Sequence, residues 1–181
     1  MSESLLPTAL VEAAERVVAA NRLVGRRIAV AESCTGGLVA AALTEIPGSS
    51  DVLEASIVSY SNEAKLGLLH VSSDVIETFG AVSIATAWSM AQGALEKSPR
   101  ADVAVAITGI AGPGGGSEKK PVGTVVFARA ERGGDPADVV ADRKKFGDLG
   151  RAGIRLQAAL CALDLLMPPP ESETASDGKE P

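Results

Sequence analysis

The pattern of apolar and polar positions divides the chain into short helices and strands. Apolar residues at intervals of three and four, with charged residues between them, are typical of amphipathic helices, whereas short apolar runs with β-branched residues are typical of strands. These patterns predict helices over residues 8–24, 38–44, 61–69, 74–79, 83–96 and 153–166. They predict strands over residues 27–31, 54–60, 101–107, 123–130 and 139–146.

The alternation of strands and helices predicts a three-layer α/β/α domain with a largely parallel, mixed central sheet. The strands 123–130 and 139–146 follow each other without a helix, so we expect an antiparallel hairpin on one side of the sheet. The sequence has no internal repeat and no linker, so residues 8–167 are expected to form a single domain. Segment 168–181 is polar and carries four acidic residues and one basic residue, so we expect a disordered tail.

The amino-acid composition excludes several kinds of site and partner. The 181 residues include one histidine and two cysteines, too few for a zinc site of Cys and His ligands, and a histidine-based catalytic triad would have to use His70. The formal net charge of −6 argues against general nucleic-acid binding. The N-terminus lacks the features of a signal peptide, and no apolar run approaches the roughly 18 residues of a membrane span. We therefore expect a soluble cytoplasmic protein with no membrane contact.

Three segments place small and polar residues directly after a predicted strand. They are 31–37 (AESCTGG), 60–65 (YSNEAK) and 108–116 (TGIAGPGGG). In a parallel α/β sheet the carboxyl ends of the strands collect along one edge, and ligands bind in the crevice at that edge. We therefore expect the three segments to meet at one site.

In the first segment Ser33 stands between a strand and a helix and is followed by Thr35, Gly36 and Gly37. Free backbone N–H groups at a helix start can bind an anion or an oxyanion, which makes Ser33 a candidate nucleophile. On spacing alone, a helix-capping role for Ser33 or Thr35 is the simpler interpretation. Cys34 is a competing nucleophile, because a helix N-terminus lowers the pKa of a thiol, although a small buried cysteine is more common.

In the second segment Lys65 stands in the first turn of its predicted helix, where the helix dipole disfavours a positive charge. This repulsion, with partial burial, would lower the pKa of the ammonium and leave a neutral amine able to act as a general base. The alternative is a solvated surface lysine. Tyr60 ends a strand and either faces the crevice or covers the core. A separation of about 3 Å between Ser33 Oγ and Lys65 Nζ would support a catalytic pair.

The third segment carries five glycines between residues 109 and 116, and such a loop brings backbone close to a ligand. It fits neither the Walker A pattern nor a dinucleotide-binding GxGxxG. Thr108, at the end of its strand, is a candidate for a fixed polar group. Arg151 and Arg155 lie four apart on one helix face, where they either hold a phosphate or carboxylate or form a solvated face. His70 is expected to be a surface or capping residue.

Four motifs in this order resemble the CinA C-terminal domain family, the nicotinamide-nucleotide amidohydrolases. They are the segments 31–37 and 60–65, GAVS at 80–83, and the stretch 108–123. The resemblance spans Thr8 to Leu166. It implies that the carboxamide of nicotinamide mononucleotide is hydrolysed to nicotinate mononucleotide and ammonia, without a metal or another cofactor. Some family members carry a second, N-terminal domain that has no room here, so we expect the stand-alone form. We also expect a homo-oligomer, although the sequence does not give the oligomeric state.

The resemblance also implies roles for individual residues. By motif position, Ser33 would be the nucleophile, Lys65 the base, and Tyr60 and Thr108 assisting or substrate-orienting groups. It implies a substrate pocket formed by Cys34, Thr35, Gly36, Gly37, Gly109, Gly112, Gly114, Gly115, Arg151 and Arg155. The last motif departs from the family pattern, because Leu149 and Gly150 are inserted before Arg151. This insertion leaves open which arginine meets the phosphate.

Two other functions stay open on the sequence. One is a non-catalytic module that holds a nucleotide or a partner protein through the glycine-rich edge, with Ser33 as a cap. The other is an amidase acting on free nicotinamide, which predicts no benefit from the substrate phosphate. Ammonia release from the mononucleotide, with binding measured in parallel, separates these functions.

Overall fold

The computed structural model describes residues 4–135 and 137–169. The helices are α1 (Thr8–Leu23), α2 (Leu38–Thr44), α3 (Asn62–Leu69), α4 (Ser73–Phe79), α5 (Ile84–Lys97) and α6 (Gly150–Leu165). The strands are β1 (Ile28–Glu32), β2 (Leu53–Val58), β3 (Val103–Gly109), β4 (Thr124–Glu131) and β5 (Val140–Lys145). Every predicted element is present, with its ends shifted by at most three residues. The expected disordered tail falls, from residue 170 onward, outside the described residues.

The five strands form one mixed sheet in the order β2-β1-β3-β4-β5. Strand β1 pairs in parallel with β2 and with β3, whereas β4 is antiparallel to both β3 and β5. The expected hairpin on one side of the sheet is therefore confirmed. Strand β1 is buried along its whole length, which suits a central parallel strand that is covered on both faces.

Helices cover both faces of the sheet and complete the expected three layers. One core contains residues of α1, α2 and α6, and the other contains residues of α3 and α5. Strands β1 and β3 direct their larger side chains to the first core, namely Ile28, Val30, Val103, Val105 and Ile107. Toward the second core they direct only alanines, namely Ala29, Ala31, Ala104 and Ala106. These small side chains let α5 lie close to the sheet.

Helix α5 also approaches the end of α3 closely, and Gly93 permits this contact. A Cβ atom at residue 93 would lie 2.7 Å from the carbonyl carbon of Leu69. Backbone cannot yield there in the way that a flexible side chain does, so a larger residue would push the two helices apart.

We expect Gly93→Ala to lower the free energy of unfolding by about 2–3 kcal/mol, measured by urea denaturation, because the added methyl group overpacks the contact between α3 and α5. Gly67→Ala is the matched control, since a Cβ at that exposed position on α3 meets nothing within 4 Å. It should raise the free energy of unfolding by about 0.5–1 kcal/mol, as expected for alanine in a helix. Equal effects of the two variants would contradict the close approach at Gly93.

Over the described ranges, no helix combines the length and apolar character required to cross a bilayer.

Candidate active site

The carboxyl ends of β1, β2 and β3 lie at one edge of the sheet, and the three polar segments meet there around a cleft of about 170 Å³. The residues singled out in the sequence that line this cleft are Ser33, Cys34, Tyr60, Lys65, Thr108, Gly109 and Arg151. The cleft is completed by four residues that sequence reasoning did not assign, namely Asn62, Ala81, Val82 and Ala111. The expected convergence of the three segments is therefore present.

The centre of the cleft is a contact between Ser33 and Lys65. The backbone N–H of Ser33 donates to the carbonyl of Ile107 on β3 at 3.0 Å, which fixes the serine beside the sheet. Lys65, the fourth residue of α3, is only 1% exposed, so it is not a solvated surface lysine. Its Nζ lies 3.1 Å from Ser33 Oγ, which matches the separation expected for a catalytic pair.

Burial of the Lys65 amine lowers its pKa below the ordinary value of 10.5, while Cys34 acts in the opposite direction. Apart from Ser33, the partners of Nζ are the carbonyl oxygens of Ser59 at 3.0 Å and Tyr60 at 3.4 Å. A neutral amine has two N–H donors and one lone pair. Two carbonyls and one hydroxyl satisfy these groups, as they would also satisfy the three N–H donors of an ammonium. Lys65 is therefore placed to accept a proton from Ser33 when its amine is neutral.

Cys34 differs from what a nucleophilic thiol would require. Its side chain is 4% exposed, and burial raises the pKa of the thiol to about 11. The thiol therefore carries its proton at neutral pH, and the lowered pKa expected for a thiol at a helix start is wrong. Residue 34 lies in a turn before α2 rather than at the helix terminus itself.

The start of α2 also departs from expectation. Gly37 is the N-cap residue of α2, so neither Ser33 nor Thr35 caps the helix. The carboxylate of Glu32 takes that role, because it accepts hydrogen bonds from the N–H groups of Gly37, Val39 and Ala40 at 3.0, 3.2 and 2.9 Å. The donors of the helix terminus are therefore not free for an anion, contrary to the expectation from the sequence.

Two donors remain beside Ser33. The N–H groups of Cys34 and Thr35 have no hydrogen-bond acceptor in the part of the chain that the structure describes. Backbone N–H groups next to a nucleophile are the usual donors to an oxyanion. The unbonded backbone donors therefore lie in the loop rather than at the helix start, although Thr35 itself is fully buried and does not line the cleft.

Arg151 stands at the rim of the cleft. Its guanidinium donates to the carbonyl of Gly112 at 2.7 Å and to the hydroxyl of Tyr60 at 2.9 Å. Tyr60 is 58% exposed and lies at the mouth of the cleft rather than in its floor. Within residues 4–135 and 137–169, no carboxylate lies within ion-pair distance of Arg151. The rim therefore carries a positive charge without an acidic partner.

Arg155 has a different position, although it lies only one helical turn further along α6. Its Nε donates to the carbonyl of Cys34 at 3.2 Å and its Nη2 donates to the carbonyl of Thr35 at 2.9 Å. Because the peptide group is planar and trans, holding the Cys34 carbonyl turns the N–H of Thr35 to the opposite side. Arg155 does not line the cleft and instead fixes the backbone of the loop that carries Ser33.

The wall opposite the loop is fixed by Thr108, whose hydroxyl donates to the carbonyl of Ala81 at 2.8 Å. This contact holds the segment 80–83 against the end of β3, and Ser83 then caps α5 by accepting from the N–H of Thr86. Thr108 is 1% exposed, so its hydroxyl is buried within the wall, where it holds the Ala81 carbonyl.

The predicted glycines have separate roles. Gly36 and Gly37 take left-handed conformations, with φ of +62° and +92°, which glycine adopts at little cost. Gly109 lines the cleft, whereas Gly112 contributes its carbonyl to Arg151. The other two predicted loop positions are exposed and lie outside the cleft lining, namely Gly114 and Gly115.

His70 lies at the C-terminal end of α3, outside the cleft. Its ring nitrogens contact the Glu96 carboxylate at 3.2 Å and the Lys97 amine at 2.9 Å. The chain's one histidine is thus a surface residue, as expected. Among the residues described, no group of three or more His, Cys, Asp or Glu side chains is arranged to hold a metal ion.

Sequence reasoning missed the role of Glu32, whose carboxylate accepts four hydrogen bonds. The available signal was a carboxylate at the end of an otherwise apolar strand, directly before the candidate nucleophile. Asn62 begins α3 beside the motif lysine and carried no separate signal.

Comparison with known proteins identifies the family of the chain. The sequence profile of the CinA C-terminal domain matches residues 10–168. A CinA-like protein from Mycobacterium avium (strain 104) is 53% identical over 148 residues, which are 81% of this chain and 34% of that protein. A CinA-like protein from Chlorobium limicola is 50% identical over 150 residues, which are 83% of this chain and 33% of that protein. The chain thus spans about a third of the length of the curated relatives it matches.

Solved structures agree with the sequence matches. The competence/damage inducible protein CihA from Agrobacterium tumefaciens has a TM-score of 0.85 and 49% identity, covering 91% of this chain and 97% of that one. A CinA superfamily protein from Klebsiella pneumoniae 700603 has a TM-score of 0.80 and 36% identity, covering 87% and 94%. The profile match over nearly the whole chain, together with these relatives, shows that the chain belongs to the CinA C-terminal domain family.

Proposed function

We propose that this chain is an amidohydrolase that converts nicotinamide mononucleotide to nicotinate mononucleotide and ammonia. The observation that carries the proposal is the 3.1 Å contact between Ser33 Oγ and Lys65 Nζ in a buried cleft. A module that only binds a nucleotide has no need of this pair, since burying a lysine amine costs free energy. The family resemblance supports the choice of substrate, and the geometry supports the amide chemistry.

In the first half of the reaction, neutral Lys65 accepts the proton of Ser33 while Oγ attacks the carboxamide carbon. The carbonyl electron pair moves onto the amide oxygen, which accepts hydrogen bonds from the N–H groups of Cys34 and Thr35. Lys65 then gives its proton to the amide nitrogen as the carbon–nitrogen bond breaks. Ammonia leaves and an ester of Ser33 remains.

In the second half, Lys65 is neutral again and takes a proton from the water that attacks the ester carbon. The carbon–oxygen bond to Ser33 breaks, and Ser33 recovers its proton from Lys65. Lys65 is charged briefly in both halves. The carbonyls of Ser59 and Tyr60 accept hydrogen bonds from it at those moments, which lowers the cost of a charge in this buried position.

The size of the cleft suits part of a nucleotide. Its volume of about 170 Å³ is below the roughly 300–1,000 Å³ of pockets that enclose drug-sized ligands. We infer that the cleft takes the pyridine ring and its carboxamide between the dyad and the apolar wall of Ala81, Val82 and Ala111. The ribose and phosphate then lie outside, where Arg151 presents an unpaired positive charge.

Replacing Arg151 tests this placement. In Arg151→Gln the KM for the mononucleotide should rise about 30-fold, because a charge-assisted hydrogen bond contributes about 2 kcal/mol. Hydrolysis of free nicotinamide, which has no phosphate, should not change. The measurement is steady-state ammonia release from both substrates. Arg16→Gln, at an exposed position on α1, is the matched control and should leave both substrates unaffected.

The same assay on the unaltered protein tests the function as a whole. We expect ammonia release from the mononucleotide at a kcat/KM well above that for free nicotinamide. Equal efficiency on both substrates would instead indicate an amidase of free nicotinamide. Tight binding of the mononucleotide with no ammonia release would indicate a binding module and would overturn the proposal.

A further inference from the structure

We propose that Glu32 is the positioning residue of this active site: its buried carboxylate occupies the N-terminus of α2 and thereby fixes the loop that carries Ser33. The inference rests on the proposed role of Ser33 as the nucleophile. Glu32 is the last residue of β1, and its side chain is fully buried. It does not touch the substrate cleft, so it acts only through the residues that follow it.

The carboxylate of Glu32 is held by four donors. Oε2 accepts from the N–H groups of Gly37 and Val39, and Oε1 accepts from the N–H of Ala40 and, at 3.3 Å, from the hydroxyl of Ser56. Glu32 takes part in none of the ion pairs within the described residues. A buried carboxylate without a cation is stabilised here by the positive end of the helix and by its free N–H groups.

These contacts close a loop. Strand β1 ends at residue 32 and α2 begins at residue 38, so the carboxylate joins the two ends of the segment 33–37. Gly37, the N-cap residue, has no side chain with which to cap the helix, and Glu32 supplies the missing group from the other end of the loop. Arg155 holds the carbonyls in the middle of the loop, and the N–H of Ser33 is bonded to Ile107 on β3. Together with the Glu32 carboxylate, these contacts fix the backbone around Ser33.

The position of Ser33 matters because its partner belongs to another part of the fold. Lys65 lies on α3, which packs with α5 on the opposite face of the sheet from α2. A shift of the start of α2 would move Ser33 but not Lys65. A misplacement of about 1 Å between reacting groups can lower a rate about 100-fold.

Glu32 is expected to act by position and not through the charge of Lys65. The hydrogen bonds of the Glu32 carboxylate go to the start of α2 and to Ser56, and none goes to Lys65. Burial is the main cause of the lowered pKa of Lys65. The carboxylate is turned toward the helix start instead. Removing the charge of Glu32 should therefore lower the rate without changing how the rate depends on pH.

The test is Glu32→Gln, which keeps the shape of the side chain but turns one acceptor oxygen into an NH₂ donor facing N–H donors. We expect kcat per folded molecule to fall about 100-fold, with KM changed by less than about threefold and the acidic limb of the pH profile unmoved. The ¹H–¹⁵N resonances of Gly37, Val39 and Ala40 should shift. Glu15→Gln, at an exposed position on α1, is the matched control and should change none of these.

A second readout does not depend on the natural substrate. A fluorophosphonate probe labels an activated serine: Oγ displaces fluoride from phosphorus and the serine proton passes to Lys65. The rate of labelling at Ser33, followed by mass spectrometry, should fall by the same factor in Glu32→Gln. A purely structural role would lower the folded fraction measured by circular dichroism and leave the labelling rate per folded molecule unchanged, which would overturn the inference.

The outcomes separate this inference from the proposed function. If the unaltered protein labels at Ser33 and Glu32→Gln labels equally fast, the inference fails and the proposed function stands. A shift of the acidic limb by a whole pH unit also overturns it, because Glu32 would then act on the charge of Lys65. If the unaltered protein labels at Ser33 but releases no ammonia from the mononucleotide, the proposed function fails while the labelling rates still decide the role of Glu32.

If Glu32→Gln does not fold, hydrogen exchange on the unaltered protein replaces it. The amide protons of Val39 and Ala40 lie in the first turn of α2, where a helix without a cap leaves them open to exchange. Bound to the Glu32 carboxylate, they should be protected as strongly as those in the middle of the helix. Exchange at unprotected rates would overturn the inference.

Discussion

Ser33→Ala is expected to lower the rate of ammonia release from nicotinamide mononucleotide on the order of 10⁴–10⁶-fold, because the hydroxyl that attacks the carboxamide is removed. The change removes one oxygen from a side chain that packs beside the sheet, so the folded structure should persist. The measurement is kcat with saturating mononucleotide, together with substrate affinity by calorimetry. We expect affinity to stay within about threefold, since the oxyanion and rim donors are unaltered.

Two further variants show whether the loss of rate is specific to Ser33. Ser72→Ala removes a hydroxyl at an exposed position before α4 and should leave kcat unaltered. Cys34→Ala removes the neighbouring thiol, whose pKa is raised to about 11, and should cost far less than Ser33→Ala. A near-normal rate in Ser33→Ala, with loss of activity in Cys34→Ala, would transfer the role of nucleophile to the cysteine.

Lys65→Met is expected to lower kcat about 10³–10⁴-fold, since the proton of Ser33 loses its acceptor. Methionine fills a similar volume in the buried position but has no titratable group. In the unaltered protein the rate should rise with pH as Lys65 loses its proton, and the midpoint should lie below 10.5 because burial lowers the pKa. Lys65→Met should lack this limb. Lys145→Met, at an exposed position on β5, should keep both the rate and the limb.

The same variant gives a stability signature with a defined sign. The pKa of Lys65 is lowered in the folded chain and is near 10.5 in the unfolded chain, so between these values the unfolded state binds more protons. The stability of the unaltered protein relative to Lys65→Met should therefore rise with pH between the lowered pKa of the folded state and 10.5, as measured by urea denaturation. A difference that stays constant over this range would mean that Lys65 titrates alike in both states.

Much of the fold could be predicted because periodicity reports it directly. The run ADVAVAI at 101–107 reads as a buried strand, and the absence of a helix between 130 and 139 reads as a hairpin. The convergence of three polar segments followed from topology alone, since parallel strands end at one edge. The pairing of Ser33 with Lys65 as nucleophile and base was implied by the family resemblance, and the scarcity of histidine agreed with it.

Three features of the site could not be predicted from the sequence, because they depend on burial and on the direction of the backbone. They are the raised pKa of Cys34, the separate positions of the two arginines and the contacts of Glu32. The pKa of Cys34 rises because the thiol is buried, and no spacing rule encodes that burial. Arg151 and Arg155 share a helix face, yet one reaches the rim and the other reaches two loop carbonyls. The contacts of Glu32 depend on a turn that folds residue 37 back over residue 32, which is set by two left-handed glycines and not by a helical period.

The attachment of Ser33 and Lys65 to different helical layers has a consequence for how the proposed active site tolerates motion. Ser33 is tied through Glu32 and Arg155 to the layer of α2 and α6, whereas Lys65 is tied through α3 to the layer of α5. The distance between Ser33 Oγ and Lys65 Nζ therefore depends on how the two helical layers are aligned across the end of the sheet. A slip of one layer by about 1 Å is expected to slow the proposed reaction about 100-fold while nearly all of the core contacts persist. The proposed activity is therefore expected to be lost under conditions that leave the global stability of the domain almost unchanged.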